Sequence, residues 1–310
     1  MMDVAASVSS SPPGARQIAD FLQDFSLDAT RPSASDIESL RGVLNPGCKV
    51  YITAVARRPQ QEVIGAARLL RTAGFEPVPH IAAHNFTDAG DLNGFLATLS
   101  REANVRTVLV IGGDGEHSTG AFNTAIDVID SGLLQRHGIE EIGIGGYPEG
   151  HPRFSVEALD LALKAKIEAA EQTGLRVHIV TQFCFATLPV LQWISRTRDL
   201  GVEHPIRIGL AGPTSLTTLL RFARRCGVLN SAQGLTRQAG MFKHLIGTSA
   251  PDTIIRELAE MSRDRLGDVS THLFTFGGLA ATARWAQAAA SGSVVLDAAG
   301  FRVEALNAPA

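Results

Sequence analysis

Two patterns of apolar and polar positions alternate along this chain. Short apolar runs that end in glycine or a polar residue are separated by stretches in which apolar residues recur every three or four positions. The first pattern is typical of buried strands and the second of amphipathic helices. The clearest strand is the run Thr-Val-Leu-Val-Ile-Gly-Gly-Asp that ends at Asp114. Strands are predicted at residues 25–30, 49–55, 77–81, 107–114, 142–146, 177–183, 206–213 and 271–277.

Helices are predicted between these strands. A first helix begins near Ala15, and Ile18, Phe21 and Leu22 share one of its faces. Turn residues such as Gly74 mark where other helices end. The further helices are predicted at residues 35–44, 59–72, 88–102, 120–134, 156–173, 188–199 and 216–226, with additional helices in 231–266 and a last one through Trp285.

Eight successive strand and helix units predict the fold. They favour an α/β fold of the (β/α)₈ TIM-barrel type over an open doubly wound sheet, because closure leaves no strand edge unpaired. We predict a single domain, with the barrel over residues 15–300. Residues 1–14 are rich in Ser, Ala and Pro and have no apolar period, which predicts a disordered, flexible N-terminal tail.

Composition narrows the classes of partner and compartment. The 310 residues are 45% hydrophobic and 19% charged, enough to build a large core. A net charge of -3 gives no global attraction to nucleic acid or to anionic membranes, so neither is predicted as a partner. Cys48, Cys184 and Cys226 have no paired metal or redox spacing, which favours a reducing compartment. With no long apolar run and no signal-peptide pattern, we expect a cytoplasmic protein.

A barrel would gather polar residues that lie far apart in the sequence. The carboxyl ends of its parallel strands all meet at one face, which we call the mouth. Each residue also has a structural explanation, since Asp28 and Thr53 could cap helices and His80 could be a packing histidine. It is less expected that none of the residues at this face has a function. The residues predicted at the mouth are Asp28, Thr53, His80, Asp114, Tyr147, Gln182, Gly212 and Thr275.

The common nucleotide and hydrolase motifs do not fit. Residues 113–118 approach the dinucleotide glycine fingerprint, but Ser118 stands where the third glycine belongs. The sequence contains no Walker loop, HExxH, CxxC or GxSxG motif. His117, near Asp114, is as well explained as a solvated loop residue as a metal ligand, so no metal site is predicted. Any flavin or nicotinamide is therefore expected at the barrel mouth.

Four motifs follow one another in the middle of the chain. They are Val-Leu-Val-Ile-Gly-Gly-Asp at 108–114, Gly-Tyr-Pro-Glu-Gly-His-Pro at 146–152, Leu-Lys-Ala-Lys at 163–166 and Thr-Gln-Phe at 181–183. In this order and spacing they resemble the methylenetetrahydrofolate reductase family, and the resemblance spans the chain from about Phe25 to Trp285. It implies a flavoprotein barrel in which NADH or NADPH reduces FAD, and the flavin passes hydride to 5,10-methylenetetrahydrofolate to give 5-methyltetrahydrofolate.

The resemblance also implies roles for single residues. Asp28 corresponds to the family's catalytic glutamate, an acid that protonates a ring nitrogen of the folate. Asp114 would be the acid beside flavin and pterin, and Gln182 would contact folate and nicotinamide in alternation. Leu216 stands where an aromatic residue helps to clamp these substrates. The implied flavin contacts are Thr53, His80, Gly113, Asp114, Tyr147, His151 and Lys166.

Three positions depart from the family pattern. Asp28 is one methylene shorter than glutamate, Gly112 replaces an arginine and Gly277 replaces an asparagine. Loss of the arginine removes a cationic contact to phosphate. Two alternatives therefore remain open, a flavin-independent enzyme with direct hydride transfer, and a folate-binding one-carbon barrel without reductase activity. The choice between NADH and NADPH also stays open, and a homo-oligomer is possible because barrels of this family associate.

Overall fold

The structure is a computed structural model that describes residues 13–55, 58–113, 120–225, 248–261 and 266–304. Eight parallel strands close into a barrel in the order β1-β10-β7-β6-β5-β4-β3-β2, which confirms the predicted (β/α)₈ fold. In chain order the strands are β1 (Ser26–Ala29), β2 (Lys49–Ile52), β3 (Glu76–Ala82), β4 (Thr107–Ile111), β5 (Glu141–Gly146), β6 (Arg176–Thr181), β7 (Ile206–Ala211), β8 (Thr214–Ser215), β9 (Thr248–Ser249), β10 (Val269–Phe274), β11 (Val294–Leu296) and β12 (Phe301–Val303).

Helices alternate with the barrel strands. Polar N-caps start several of them, for example Ser155 and Asp88, whose side chains accept from backbone N–H groups in the first turn. The helices are α1 (Pro13–Phe21), α2 (Ala34–Glu38), α3 (Gln60–Thr72), α4 (Ala89–Ala103), α5 (Ala125–Asp130), α6 (Leu133–Arg136), α7 (Val156–Gln172), α8 (Thr187–Asp199), α9 (Leu216–Arg225), α10 (Asp252–Glu260) and α11 (Leu279–Ala290).

The structure differs from the predicted elements in three places. The helix predicted at 120–134 is instead the pair α5 and α6, because Gly132 takes a left-handed conformation with φ of 67° between them. The hairpin of β11 and β12 follows the last helix and was not predicted. Within 231–266, where helices were predicted, residues 231–247 and 262–265 lie outside the described residues, and the rest holds α10 and β9. The tail predicted at 1–14 falls mostly on residues 1–12, also outside, and stays a prediction.

Strand residues alternate between two environments. Outward side chains such as Leu27, Val50 and Val108 belong to the large apolar core between the sheet and its helices. The apolar cluster inside the barrel is small and consists of Tyr51, Val78, Leu109, Val180 and the partly buried Ile111. The remaining inward positions carry many polar groups, which is unusual because branched apolar residues normally fill barrel interiors.

No helix in the described part of the chain is both long and apolar enough to cross a bilayer.

Candidate active site at the barrel mouth

Three neighbouring strands bring Asp28, Thr53 and His80 together at the mouth. Asp28 lies in β1 and is only 6% exposed. The Thr53 hydroxyl, just after β2, donates to Asp28 Oδ1 at 2.5 Å. His80 Nε2, from β3, lies 3.4 Å from Asp28 Oδ2. The structure therefore joins an acid, a hydroxyl and an imidazole that are separated in the sequence but adjacent in strand order.

His272, which was not among the predicted site residues, lies beside the same carboxylate. Its Nε2 atom is 3.8 Å from Asp28 Oδ2, and its ring is fully buried. Burial raises the pKa of Asp28, but His272, His80 and Thr53 outweigh it and hold that pKa below its ordinary value. Burial lowers the pKa values of both histidines, and the neighbouring carboxylate offsets part of that effect. These shifts favour the carboxylate form of Asp28 and the neutral form of each imidazole.

The opposite wall of the mouth carries Tyr147, His151 and Lys166. The rings of Tyr147 and His151 meet edge to face, with centroids 5.3 Å apart. Lys166 reaches from α7 to the barrel, where its Nζ donates to the Gly145 carbonyl at 3.1 Å. Burial lowers the pKa of Lys166 to about 8. This ammonium therefore loses much of its hydration and is poised to pair with an anion.

Glycines stand at two strand ends of the mouth, after β4 and after β10. Gly113 has a φ of 114°, which only glycine adopts without strain. A Cβ at Gly113 would lie 3.1 Å from His84 Cβ, so the close packing there also requires glycine. At Gly112, by contrast, an added Cβ would meet no atom within 4 Å. At Gly277 it would overlap the carbonyl oxygen of Pro213, which explains why no larger residue stands at that strand end.

Gln182 and Leu216 flank an aromatic cluster that was not predicted. The Gln182 side-chain carbonyl accepts from the N–H of Phe183 at 3.1 Å, and Leu216 opens α9 with its side chain partly buried. Phe222 of α9 stacks on Phe276 with ring centroids 4.0 Å apart. The cluster consists of Phe183, Phe185, Leu220, Phe222, Ala223, Phe274 and Phe276.

Two other predicted mouth residues have structural contacts. The Thr275 hydroxyl donates to the backbone carbonyl of Asp28 at 2.7 Å, and the Gly212 N–H donates to the Phe274 carbonyl at 2.9 Å. Both bonds tie β10 to a neighbouring strand end. Asp114, the predicted second acid, lies outside the described residues, so its place in the site remains a prediction. Among the described residues, no group of three or more His, Cys, Asp and Glu side chains is arranged to hold a metal ion.

Sequence reasoning missed the polar groups inside the barrel. Arg207, His178 and His272 each stand at an inward position of a strand whose neighbouring residues are apolar. A basic residue in the middle of a buried strand is uncommon, and that was the available signal. The strand pattern does not reveal their partners, because those partners come from strands distant in the sequence.

Comparisons with known proteins place the chain among methylenetetrahydrofolate reductases. A family model described as methylenetetrahydrofolate reductase matches residues 34–237. Methylenetetrahydrofolate reductase (NADH) 1 of Arabidopsis thaliana is 26% identical over 179 residues, which are 52% of this chain and 29% of that protein. The chain thus spans less than a third of that relative's length.

Two solved structures superpose on this chain to different extents. A protein from Clostridium thermocellum, described as binding two copies of 5-methyl-5,6,7,8-tetrahydrofolic acid, superposes with a TM-score of 0.54 and 13% identity, covering 89% of this chain and 96% of that one. Dihydropteroate synthase from Thermus thermophilus gives a TM-score of 0.46 at 13% identity, over 85% and 91% of the two chains.

Proposed function

The chain belongs to the methylenetetrahydrofolate reductase family, and we propose that it reduces 5,10-methylenetetrahydrofolate to 5-methyltetrahydrofolate with hydride from NADH or NADPH. The observation that carries this proposal is the buried carboxyl group of Asp28, held at the mouth by Thr53 and His80. A buried carboxyl group at the barrel mouth is where a general acid for a bound ring is needed.

The role of Asp28 follows from the chemistry of the methylene bridge. Protonation of a ring nitrogen opens the bridge to an iminium ion, which then accepts hydride at its carbon. Burial is the largest single influence on the pKa of Asp28 and acts to raise it, although the neighbouring side chains hold that pKa below its ordinary value. A pterin that covers the mouth removes more water and so increases the proton affinity of this carboxyl group. Asp28 then takes up the proton that it delivers.

Gln182 and the aromatic cluster would hold the rings of the substrates. The amide of Gln182 offers both a donor and an acceptor to a pterin or a nicotinamide. Leu216 lacks the aromatic face found in the family, and the stacked pair Phe222 and Phe276 would supply an apolar aromatic surface on the same side. Asp114 would face flavin and pterin, as in the family.

Residues from both sides of the mouth fit an FAD group. Thr53, His80, Gly113, Tyr147, His151 and Lys166 would hold it, since the Gly113 turn lets a flat ring approach the backbone and Lys166 presents a poorly hydrated cation. FAD, when bound, would accept hydride from the nicotinamide and give it to the folate. The chain itself orients the two substrates, excludes water and places the proton of Asp28.

One observation favours the flavin-independent version as a second candidate. Gly112 provides no cation where the family has an arginine, and the space beside it is open. A pyrophosphate there would lack a bidentate partner, which weakens FAD binding. Under this version nicotinamide and folate would meet directly over Asp28.

The visible spectrum of the purified protein tests the proposal. Under anaerobic conditions, NADH and then methylenetetrahydrofolate are added, and product 5-methyltetrahydrofolate is measured. A flavin band that bleaches with NADH and returns with folate supports the two-step reaction. A colourless protein that consumes NADH only with folate present supports direct transfer. A colourless protein without product formation overturns the reductase proposal and favours a folate-binding barrel.

A Gly112→Arg variant sharpens this test. The open space at Gly112 accepts a side chain, so we expect the variant to fold and to bind FAD more tightly, by on the order of tenfold or more for one charge-assisted pair. FAD affinity is measured by fluorescence quenching of the free flavin. Gly112→Gln is the matched control, because it adds length without charge. Equal FAD affinity in the two variants would contradict a phosphate site beside Gly112.

A further inference from the structure

The base of the barrel interior, at the amino ends of the strands, holds a buried arginine. Arg207 of β7 is 5% exposed. Its guanidinium pairs with the Asp24 carboxylate at 2.5 Å and donates to the Asp24 carbonyl at 2.8 Å. The same guanidinium lies 3.5 Å from the hydroxyl oxygen of Ser26. The positive charge of Arg207 therefore lies at the base of β1, next to Ser26, which is two residues before Asp28.

Arg207 determines the direction of the Ser26 hydroxyl. Arginine has donors and no acceptor, so the Ser26 oxygen turns its lone pairs toward the guanidinium and its hydrogen away from it. In the described part of the chain, the other polar partner of Ser26 Oγ is His272 Nδ1, at 2.9 Å. If the serine oxygen accepted from both neighbours, its own hydrogen would have no acceptor among the described residues. The hydroxyl therefore donates to Nδ1, and this nitrogen is the acceptor of the ring.

The proton of His272 then resides on the other nitrogen, Nε2, which faces Asp28. We infer that Arg207 is a positioning residue, which acts through Ser26 to fix His272 as its Nε2–H tautomer and so presents an N–H donor, not a lone pair, to the Asp28 carboxylate. The relevant distance is 3.8 Å from Nε2 to Asp28 Oδ2, which a small shift of the carboxylate on substrate binding would close. Burial lowers the pKa of His272, consistent with a neutral ring that carries a single proton.

His178, in the same interior, has the opposite arrangement and serves as an internal reference. Its Nδ1 lies 2.7 Å from Glu141 Oε1, and its Nε2 lies 2.7 Å from the Tyr51 hydroxyl. A carboxylate accepts only, so the proton of His178 belongs on Nδ1. The carboxylate beside His178 lies within hydrogen-bond distance and sets the tautomer of that ring. The carboxylate beside His272, at 3.8 Å, lies beyond it, so the 2.9 Å contact with Ser26 sets the tautomer of His272.

Several charged or titratable groups lie near Asp28 and His272, and all of them contribute to any pH dependence of these two residues. His80 and Thr53 face Asp28 from β3 and β2, and the Tyr51 ring packs against His272 with centroids 4.6 Å apart. The charged or titratable groups that face Asp28 or His272 are His80, Tyr51 and Arg207, and Asp28 and His272 also face each other.

Heteronuclear NMR of nitrogen-labelled histidine tests the inference on the full chain. Long-range proton–nitrogen spectra distinguish the two tautomers, and His272→Gln and His178→Gln assign the signals. We expect Nε2–H for His272 and Nδ1–H for His178 in the wild type. In Arg207→Met, which keeps length and removes the cation, His272 should populate the Nδ1–H form while His178 stays unchanged. Arg207→Lys should restore the wild-type tautomer.

Two outcomes overturn the inference. One is an Nδ1–H tautomer for His272 in the wild type, and the other is an unchanged tautomer in Arg207→Met. If Arg207→Met does not fold, Ser26→Ala replaces it, since removal of the hydroxyl also removes the donor to Nδ1. Retention of pure Nε2–H in Ser26→Ala would equally overturn the role of this hydrogen bond.

The effect on catalysis rests on the proposed function and is measured separately. With Asp28 as the acid, folate reduction declines as pH rises through its pKa in the substrate complex. A lone pair on His272 Nε2 would accept from protonated Asp28 and raise that pKa, so the decline in Arg207→Met should move upward by on the order of one pH unit. An unmoved profile would overturn the coupling to Asp28. If the wild type reduces no folate but the tautomer still switches, the proposed function fails and the role of Arg207 in setting the tautomer stands.

Discussion

Acidic and basic side chains at the base of the barrel interior lie close together, whereas the two histidines at the mouth lie farther from Asp28, whose close partner there is Thr53. At the base, Arg207 and Asp24 pair at 2.5 Å, and the Glu141–His178 distance is 2.7 Å. At the mouth, the imidazole contacts of Asp28 Oδ2 are longer, at 3.4 and 3.8 Å. The buried Nε2 atoms of His80 and His272 have no hydrogen-bond partner among the described residues.

We interpret this difference as that between a structural region and the proposed binding region. A buried polar group without a partner costs about 1–3 kcal/mol, so a protein tolerates such groups mainly where a ligand or water completes them. At the base, the close pairs of Arg207 with Asp24 and of Glu141 with His178 stabilise the fold. The mouth leaves donors and acceptors incomplete around Asp28, which is where a folate ring would supply partners. Three substitutions test this contrast.

Asp28→Asn should have the largest effect, because it removes the acid at the mouth and keeps its shape. We expect folate reduction to fall by on the order of a hundredfold or more. Nicotinamide oxidation with an artificial acceptor, which needs no proton at this position, should stay within about twofold of the wild type. Both rates are measured by steady-state kinetics.

The matched control for this change is Asp20→Asn, at an exposed carboxylate of α1. It should leave both rates unchanged. If Asp28→Asn reduces folate as fast as this control does, Asp28 is not the acid.

Tyr51→Phe should affect stability, because it removes a bond at the closely paired base. The Tyr51 hydroxyl lies 2.7 Å from His178 Nε2, and both side chains are buried. Its loss leaves the imidazole nitrogen without a partner, and the free energy of unfolding should fall by about 1–3 kcal/mol. Urea unfolding measures this value. Thr98→Val, which removes an exposed hydroxyl of α4, is the control and should change it by less than about 0.5 kcal/mol. Equal losses in the two variants would mean that the base is not held by this bond.

Glu141→Gln should have the smallest effect, a change in the free energy of unfolding that is seen only at acidic pH. The nearby His178 imidazole lowers the pKa of Glu141 from 4.5 to about 2 in the folded protein. A depressed carboxyl pKa stabilises the fold above the unfolded value and loses that contribution as pH falls toward the folded one. Between about pH 5 and pH 2 the wild type should lose roughly 1–2 kcal/mol more than Glu141→Gln. The measurement is the urea midpoint across this range, and parallel curves for the two proteins would refute the pairing.

Much of the fold was predictable from local patterns. The apolar runs gave all eight barrel strands, because a buried parallel strand needs a short continuous apolar segment. The helix predicted at 120–134 was wrong as one element, since the apolar period continues through Gly132 while its backbone turns left-handed. The hairpin of β11 and β12 was missed because its strands are only three residues each.

The candidate site was predictable in part. Asp28, Thr53 and His80 were placed at one mouth by the strand-end argument alone, and the structure brings them into contact. His272 was missed, because its importance depends on closure of the barrel, which pairs β10 with β1 and sets Ser26 opposite His272.

The sequence by itself determined the alternation of strands and helices, the family, and which polar residues end the strands. These properties depend on neighbouring residues along the chain, which a linear pattern records. Only the tertiary structure decided which inward side chains meet. Arg207 acts on Ser26 from 181 residues away and His272 reaches Asp28 across the closing seam, and these distances depend on strand register and barrel closure. The protonation of the site is therefore a property of the closed barrel, since charges act through space and not along the chain.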